Sequence, residues 1–347
     1  MLTAEDIQHI NHFFNLSLLN NINKLSGGDV NESYLATDGV NQYIIKKIYE
    51  SEHAKDYDIA LDKIIESITF SENIAQQLLY TNHVAPAVFT QGKCVLKKGK
   101  NLFIVFPFIQ GSVRENEEVS LNMVEKIAKF LAIIHRSSFS FDSQFAEEKM
   151  AIFKKIGHQI IALKFWGLIK AITQRRFFFP KLNFISTYLI NNKNTLHQAM
   201  DNLKYEAICH NDLKPKNVLW QDEHNFGVID WETTGFFDLN ADYLDTLIAW
   251  CTLYNKNQIV LDLQKLKIFI STYPLKEINQ LEKSMPVVLL KWYFWLAFCI
   301  KKIISNPKQW RHYQWHIYYS ITLIIFLIEG DLVKQLKLHY PLKEFNE

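Results

Sequence analysis

CHNDLKPKNVLW, residues 209–220, places His210, Asn211, Asp212, Lys214, Lys216 and Asn217 directly before an apolar triplet. The turn-like QDEHN (221–225) follows, and then FGVID (226–230). Two β-prone runs around such a turn predict a β-hairpin. With the turn centred on Asp222–Asn225, Gln221 faces Phe226 and Asn217 faces Asp230. Both then stand at the open end of the hairpin, next to the loop that carries Asp212. The pattern therefore predicts that three oxygen-bearing side chains converge.

Two carboxylates and an amide oxygen have a definite use. Hard oxygen ligands suit Mg²⁺, which takes one or two carboxylates and leaves room for water and phosphate. A loop carboxylate five residues before the Asn accepts the proton of a substrate hydroxyl. H-x-D-x-x-x-x-N followed by a strand-borne Asp is the kinase arrangement for phosphoryl transfer. On this reading Asp212 is the base, and Asn217 and Asp230 hold Mg²⁺. Lys214 neutralises charge on the transferred group, and His210 is a buried brace for the loop. Asx residues beside a proline also make plain turns. The hairpin, with an Asp at the expected opposite position, favours the catalytic reading.

Upstream, residues 5–20 have one apolar helical face. In LSGGDVNESYLATDGVNQYIIKKIYE (25–50), Asp38-Gly39 reads as a two-residue hairpin turn. That register sets Lys46 opposite Asn31, beside Ser26-Gly27-Gly28. Residues 59–80 read as one or two helices. A second hairpin, AVFTQGKCVLKK and NLFIVFPFIQG, turns at Gly99-Lys100. From about residue 120 the helical period dominates, including 150–205, and strand character returns only around 218–230. The chain reads as α+β: a β-rich lobe over 1–110 and a mainly helical lobe over 111–347, with a break near Gly111.

A length of 347 residues suits two domains or two lobes. A formal net charge of +2 gives no reason to expect a nucleic-acid partner. Cys94, Cys209, Cys251 and Cys299 sit in apolar contexts without a C-x-x-C pair, as reduced core thiols of a cytosolic protein do. The start, MLTAEDIQHI, has no signal-peptide pattern. The apolar runs 285–300 and 313–328 fall short of the roughly 20 residues a span needs, and contain Lys291 and His316. They read as buried core helices, with no membrane partner.

ICHNDLKPKNVLW…FGVIDWETTGFFDLNADYLDTL resembles the aminoglycoside phosphotransferase and choline kinase family, which has the bilobal protein-kinase-like fold. LSGGDVNESYLAT resembles its nucleotide loop, YIIKKIY its lysine strand, LFIVFPFIQG its hinge strand and IAKFLAIIHR its first large-lobe helix. The resemblance runs from about residue 23 to 255. It implies ATP, with GTP as an alternative, and Mg²⁺. It further implies that Lys46 pairs with the nucleotide phosphates, aided by backbone at Gly27 and Gly28. Glu72 would position Lys46, with Glu66 as the competing partner. Backbone around Phe106, Phe108 and Ile109 would bind the adenine edge. Asp242 would brace the catalytic loop. Lys46 and Lys47 alternate across a strand, so one of them alone points to the nucleotide. The preceding apolar run favours Lys46.

HNDLKPKN also resembles the protein-kinase loop, but Trp231-Glu232 follows the metal Asp where Phe-Gly would stand, and no A-P-E segment follows. A small-molecule hydroxyl is therefore the expected acceptor. His210-Asn211-Asp212 and Ile229-Asp230-Trp231-Glu232 lean towards choline kinase-like members, and so towards a choline-like amino alcohol. An aminoglycoside, homoserine or a sugar remains an alternative, as do a protein kinase and a non-catalytic nucleotide-binding module. Trp292, Tyr293, Trp295, Trp310, Tyr313, Trp315, Tyr318 and Tyr319 offer material for a cation–π box. Aromatic stripes at helical spacing more often build core.

Overall fold

The computed structural model describes residues 2–25, 31–49, 60–139, 179–205, 207–255, 258–275, 278–330 and 332–339. The Gly27-Gly28 loop and residues 150–178 of the expected helical stretch lie outside these. The chain forms two compact units, Met1–Arg114 with Lys216–Thr234, and Glu115–Pro215 with Gly235–Glu347. The hairpin that follows residues 210–215 thus belongs to the first unit, and the second is built from two stretches of sequence.

The first unit contains strands β1 (Asn20–Lys24), β2 (Glu32–Thr37), β3 (Gln42–Tyr49), β4 (Leu96–Lys98) and β5 (Asn101–Pro107). They form one antiparallel sheet in the order β1-β2-β3-β5-β4. Alternation gives the sheet two buried faces. Ile45, Phe103 and Val105 pack with Ile10 and Phe14, which follow from helix α1 (Ala4–Phe13). Ile48, Leu102 and Ile104 pack with Leu61, Ile64 and Ile68 of helix α2 (Leu61–Gln77). A capping box between Thr3 and Asp6 starts α1. The Asp6 carboxylate also takes Lys98 Nζ at 3.0 Å, tying α1 to β4.

The β4–β5 turn is Gly99-Lys100 as expected, with Lys98 opposite Asn101 and Gly99 at φ +57°. The β2–β3 turn is not the expected two-residue one. Thr37 pairs with Gln42, which leaves Asp38–Asn41 as the loop and sets Lys46 opposite Ser33, not Asn31. The Asp38 carboxylate accepts the N–H groups of Val40 and Asn41, at 2.9 and 2.7 Å, and this Asx turn holds the wider loop.

Strands β7 (Val218–Trp220) and β8 (Phe226–Val228) form the expected hairpin. Neighbouring segments hold it from both sides. Ser112 exchanges backbone hydrogen bonds with Trp220 at 3.0 and 2.9 Å, and Val228 donates to the His83 carbonyl at 2.7 Å. Gly111 precedes this contact at φ +154°, and a Cβ there would lie 3.1 Å from the Trp220 backbone.

In the second unit, β6 (Ala207–Cys209) pairs antiparallel with β9 (Gly235–Phe237), so the excursion through 216–234 starts and ends at one short ladder. Around it stand α3 (Leu121–Arg136), α4 (Phe179–Asn191), α5 (Lys193–Asp201), α6 (Leu239–Cys251), α7 (Leu263–Thr272), α8 (Leu281–Ser305), α9 (Trp310–Glu329) and α10 (Leu332–His339). Helix α6 is buried along nearly its whole length. Its N-cap Asp238 accepts the Ala241 N–H at 2.9 Å and the Ser284 hydroxyl of α8 at 2.8 Å. The region beyond 230 also holds strands, which the helical reading passed over. Besides β9, there is a hairpin of β10 (Thr252–Asn255) and β11 (Gln258–Leu261), built from the β-prone Thr252, Tyr254, Ile259 and Val260. The apolar runs near residues 290 and 320 lie in α8 and α9, with Leu289, Leu290, Ile321 and Leu323 in the core. Among the described residues no single helix is long and apolar enough to cross a membrane.

Candidate active site

Each unit carries one set of the expected residues. In the first, Lys46 and Lys47 project from opposite faces of β3. Lys47 is buried on the α1 face, 3.7 Å from Asp6 and over the Tyr49 and Phe103 rings. Lys46 lies on the other face, where Nζ contacts Asp230 Oδ1 at 3.1 Å and also the Glu232 carboxylate. Burial works against its charge, but Asp230 and Glu232 outweigh this and raise its pKa.

Asp230 adopts φ 65° and ψ 57°, a left-handed conformation that Asp tolerates better than most residues. It turns the chain out of β8 into one tight turn at Trp231–Thr233. Ser71 of α2 donates to the Thr234 carbonyl at 3.1 Å, and buried Trp231 donates to the Val228 carbonyl at 3.1 Å. Both contacts fix that turn.

The expected partnership of Glu72 with Lys46 is not made. Glu72 is buried and accepts the Ala87 N–H at 2.8 Å. Burial pushes its carboxyl up to about 7, against the pull of the Ala87 N–H, with the nearby Glu232 charge adding to the rise. Nor is Glu66 the partner, since it pairs with Lys63 on the exposed side of α2. The carboxylates that hold Lys46 come from the turn after β8, because that turn is packed against α2.

The hairpin register is one residue off the expected one. Trp220 pairs with Phe226, so Asn217 faces Ile229, whose N–H it accepts at 3.0 Å, and not Asp230. The Asp222 carboxylate captures the N–H groups of His224 and Asn225, at 2.6 and 2.8 Å, which makes Gln221–Asn225 the loop. Asn217 is buried and Asp230 exposed. At the expected hinge, Phe106 is tied into the ladder opposite Ile44, and the Phe108 N–H is committed to the Gln42 carbonyl at 3.0 Å. Ile109 packs over Gly227, where a Cβ would come within 2.8 Å of it.

In the second unit, β6 delivers the loop 210–215. His210 is fully buried, and its N–H donates to Asp242 Oδ2 at 3.2 Å. Asn211 stands at φ 64° and donates its N–H to Asp242 Oδ1 at 2.9 Å. Asp242, on α6, also meets His135 Nε2 at 3.0 Å, while His135 Nδ1 meets the Tyr273 hydroxyl at 3.0 Å. Burial alone would raise the Asp242 pKa, but the His135 hydrogen bond and the surrounding positive charges lower it. Three donors therefore occupy this carboxylate. His135, Cys209 and Asp242 approach one another closely, yet the set reads as a hydrogen-bonded knot, not a metal centre.

Further contacts hold the loop at its other end. Trp250 Nε1 donates to the Leu213 carbonyl at 2.9 Å. Lys291 Nζ, from α8, donates to the Asn211 carbonyl at 3.0 Å and to Asp245 Oδ2 at 2.6 Å. Asp212 Oδ1 lies 2.5 Å from Lys214 Nζ. Asp212, Leu213, Lys214, Asp245, Thr246, Ala249 and Trp292 line a pocket. Trp292 Nε1 binds Asp245 Oδ1 at 3.1 Å, and its ring lies 5.7 Å from Tyr319, which stacks on Trp315 at 5.1 Å. The aromatic residues of the final third thus divide: Tyr293 and Tyr313 are core, whereas Trp292 lines the pocket and Tyr319 packs beside it.

Sequence reasoning did not single out Asp245, Lys291 or His135 as site residues. Two of them left a trace. A lysine inside an apolar helix demands a buried acceptor, and Asp245 follows Asp242 by three positions, on the same side of one helix.

A family model described as "Phosphotransferase enzyme family" matches residues 21–264. No curated protein sequence matches the chain significantly. Among solved structures, the chain is similar to a spectinomycin phosphotransferase in complex with ADP and spectinomycin. The TM-score is 0.59 at 14% identity, over 94% of this chain and 99% of that one. A choline kinase from Cryptosporidium parvum gives 0.54 at 12%, over 91% of each chain. A choline kinase from Streptococcus pneumoniae gives 0.53 at 15%, over 90% and 98%.

Proposed function

The chain belongs to the phosphotransferase enzyme family and has its α+β, protein-kinase-like fold, and from that premise we propose that it transfers the γ-phosphate of ATP to a hydroxyl of a small molecule, a choline-like amino alcohol by preference. The observation that carries this reading is Asp212, held at the wall of a pocket by a loop whose backbone Asp242 and Lys291 secure.

Asp212 accepts the proton of the acceptor hydroxyl as that oxygen bonds to the γ-phosphorus and the bond to the ADP oxygen breaks. Lys214, already beside Asp212, offsets charge on the phosphoryl oxygens. Lys46 turns from Asp230 and Glu232 to the α- and β-phosphates. Asn217 and Asp230 fit Mg²⁺, because one supplies an amide oxygen and the other a carboxylate that already bears a cation in Lys46. When bound, the ion neutralises phosphate charge. The role of the loop 106–109 in seating adenine is retained for its carbonyls, since the Phe108 N–H is engaged.

The pocket favours the amino alcohol. Its two carboxylates are already matched, Asp212 by Lys214 and Asp245 by Lys291. A polycationic aminoglycoside would find little unpaired negative charge there. A single quaternary ammonium needs none, because the aromatic ring of Trp292 at the pocket wall can attract it.

The test is ADP release with Mg-ATP and choline, ethanolamine, homoserine, kanamycin, spectinomycin or casein in parallel. Choline or ethanolamine should stimulate release, and Asp212→Ala should abolish it while nucleotide binding survives. Undiminished turnover in Asp212→Ala would sink the assignment. Stimulation by kanamycin alone would transfer the acceptor to the aminoglycosides, and by casein alone to proteins.

A further inference from the structure

We propose that Lys291 is a positioning residue for the transfer: by holding the Asn211 carbonyl it sets the direction from which Asp212 projects. The proposal rests on the reading of Asp212 as base.

Asn211 stands at φ 64°, a left-handed conformation that asparagine tolerates and that its partners here hold in place. Both of its backbone polar groups are held by charged side chains from different helices. The N–H meets Asp242 of α6, and the carbonyl meets Lys291 of α8. The carbonyl grip matters more for chemistry. The Asn211 carbonyl and the Asp212 nitrogen belong to one planar peptide unit. Fixing the carbonyl direction therefore fixes where Asp212 Cα stands, and so limits the directions in which its side chain can project. Without that grip, the peptide is free to rotate about the bonds on either side.

Lys291 is itself held in place. Asp245 binds its ammonium at 2.6 Å, and Trp292, the next residue on α8, binds the other oxygen of the same carboxylate at 3.1 Å. The lysine side chain is only 16% exposed, so water competes little for the Asn211 carbonyl. A charged donor makes this bond stronger than a neutral one would. Nothing in the phosphoryl transfer requires a lysine on α8, and a purely structural residue in an apolar helix would be cheaper as leucine. The lysine is explained by the carbonyl it reaches, 80 positions away in the sequence.

Lys291→Met alone leaves Asp245 buried without its partner, and that variant risks failing to fold. The test therefore uses Asp245→Asn/Lys291→Met, which removes both charges and keeps an acceptor for Trp292, with Asp245→Asn as control. Hydrogen exchange reads the grip without any acceptor. The amides of residues 210–213 should exchange at least about tenfold faster in the double variant, with those of β7 and β8 unchanged and the control within about twofold of the parent. With choline and Mg-ATP, kcat should fall about 100-fold while KM for ATP stays constant, the loss expected from a misplaced catalytic group. Unaltered loop exchange in the double variant, or an equal change in the control, overturns the proposal. Asp212→Asn run alongside separates the two readings: if it keeps full turnover, the base assignment fails, and loop exchange still judges the grip.

Discussion

Lys46 and Lys47 are adjacent and chemically identical, yet β alternation sends them to different work. Lys46 meets Asp230 and Glu232, and Lys47 meets Asp6 and two rings. Lys46→Met should lower kcat/KM for ATP about 100- to 1,000-fold, the scale of losing one donor to transition-state charge, and should also lower the urea midpoint, because Asp230 and Glu232 lose their cation. Lys47→Met should leave ATP kinetics unchanged and cost about 2 kcal/mol of stability, through loss of the buried ion pair with Asp6 and the contacts with two rings. ATP titration and urea unfolding of both variants decide the matter. A kinetic loss in Lys47→Met would reverse the assignment. That Lys46 faces away from Lys47 was legible from strand alternation. Its partners were not, because Asp230 lies 184 positions away and reaches Lys46 only once the turn after β8 is packed on α2.

Two hairpins were misread in their register, and both for one reason. Asp38 and Asp222 each fold back to capture two backbone N–H groups, so each loop is wider than the simplest turn. The strands were visible in their apolar alternation, but the register depends on this side-chain choice. The β7–β8 hairpin also shows how tightly its neighbours approach. Gly111→Ala would put a Cβ 3.1 Å from the Trp220 backbone at a φ unfavourable to alanine, and neither party can yield. It should cost about 1–3 kcal/mol. Gly227→Ala meets only the Ile109 side chain, at 2.8 Å, which can change rotamer, and should cost less. Thermal unfolding of the two variants checks the order. Equal losses would contradict the rigid contact at Gly111.

Across the whole molecule, two buried or bridged glutamates shape the pH dependence of stability. Glu72 sits near 7 when folded, because of its burial, against 4.5 as the reference value. The folded state holds that proton more tightly, so the contribution is complete below pH 4.5 and is lost as pH rises towards 7. A shift of this size corresponds to roughly 3 kcal/mol. Glu32 behaves oppositely. Burial would raise it, but hydrogen bonds from Lys24, Tyr49 and Tyr34 bring it down to about 2. Its contribution is complete above pH 4.5 and disappears as pH falls through 2. Of themselves, these two groups favour stability on the mildly acidic side. Glu72→Gln, which keeps an acceptor for Ala87, should flatten the decline in melting temperature between pH 5 and 7.5. An unchanged slope would refute the role given to Glu72.

The kind of fold and the strand-rich first third followed from residue types close together in sequence, because alternation, helical period and turn chemistry are local forces. Tertiary structure alone decided which carboxylate takes which ammonium. Glu232 rather than Glu72 meets Lys46, and Lys291 reaches Asn211. Such pairings depend on where packing leaves a buried charge room for its partner, and no local pattern specifies that.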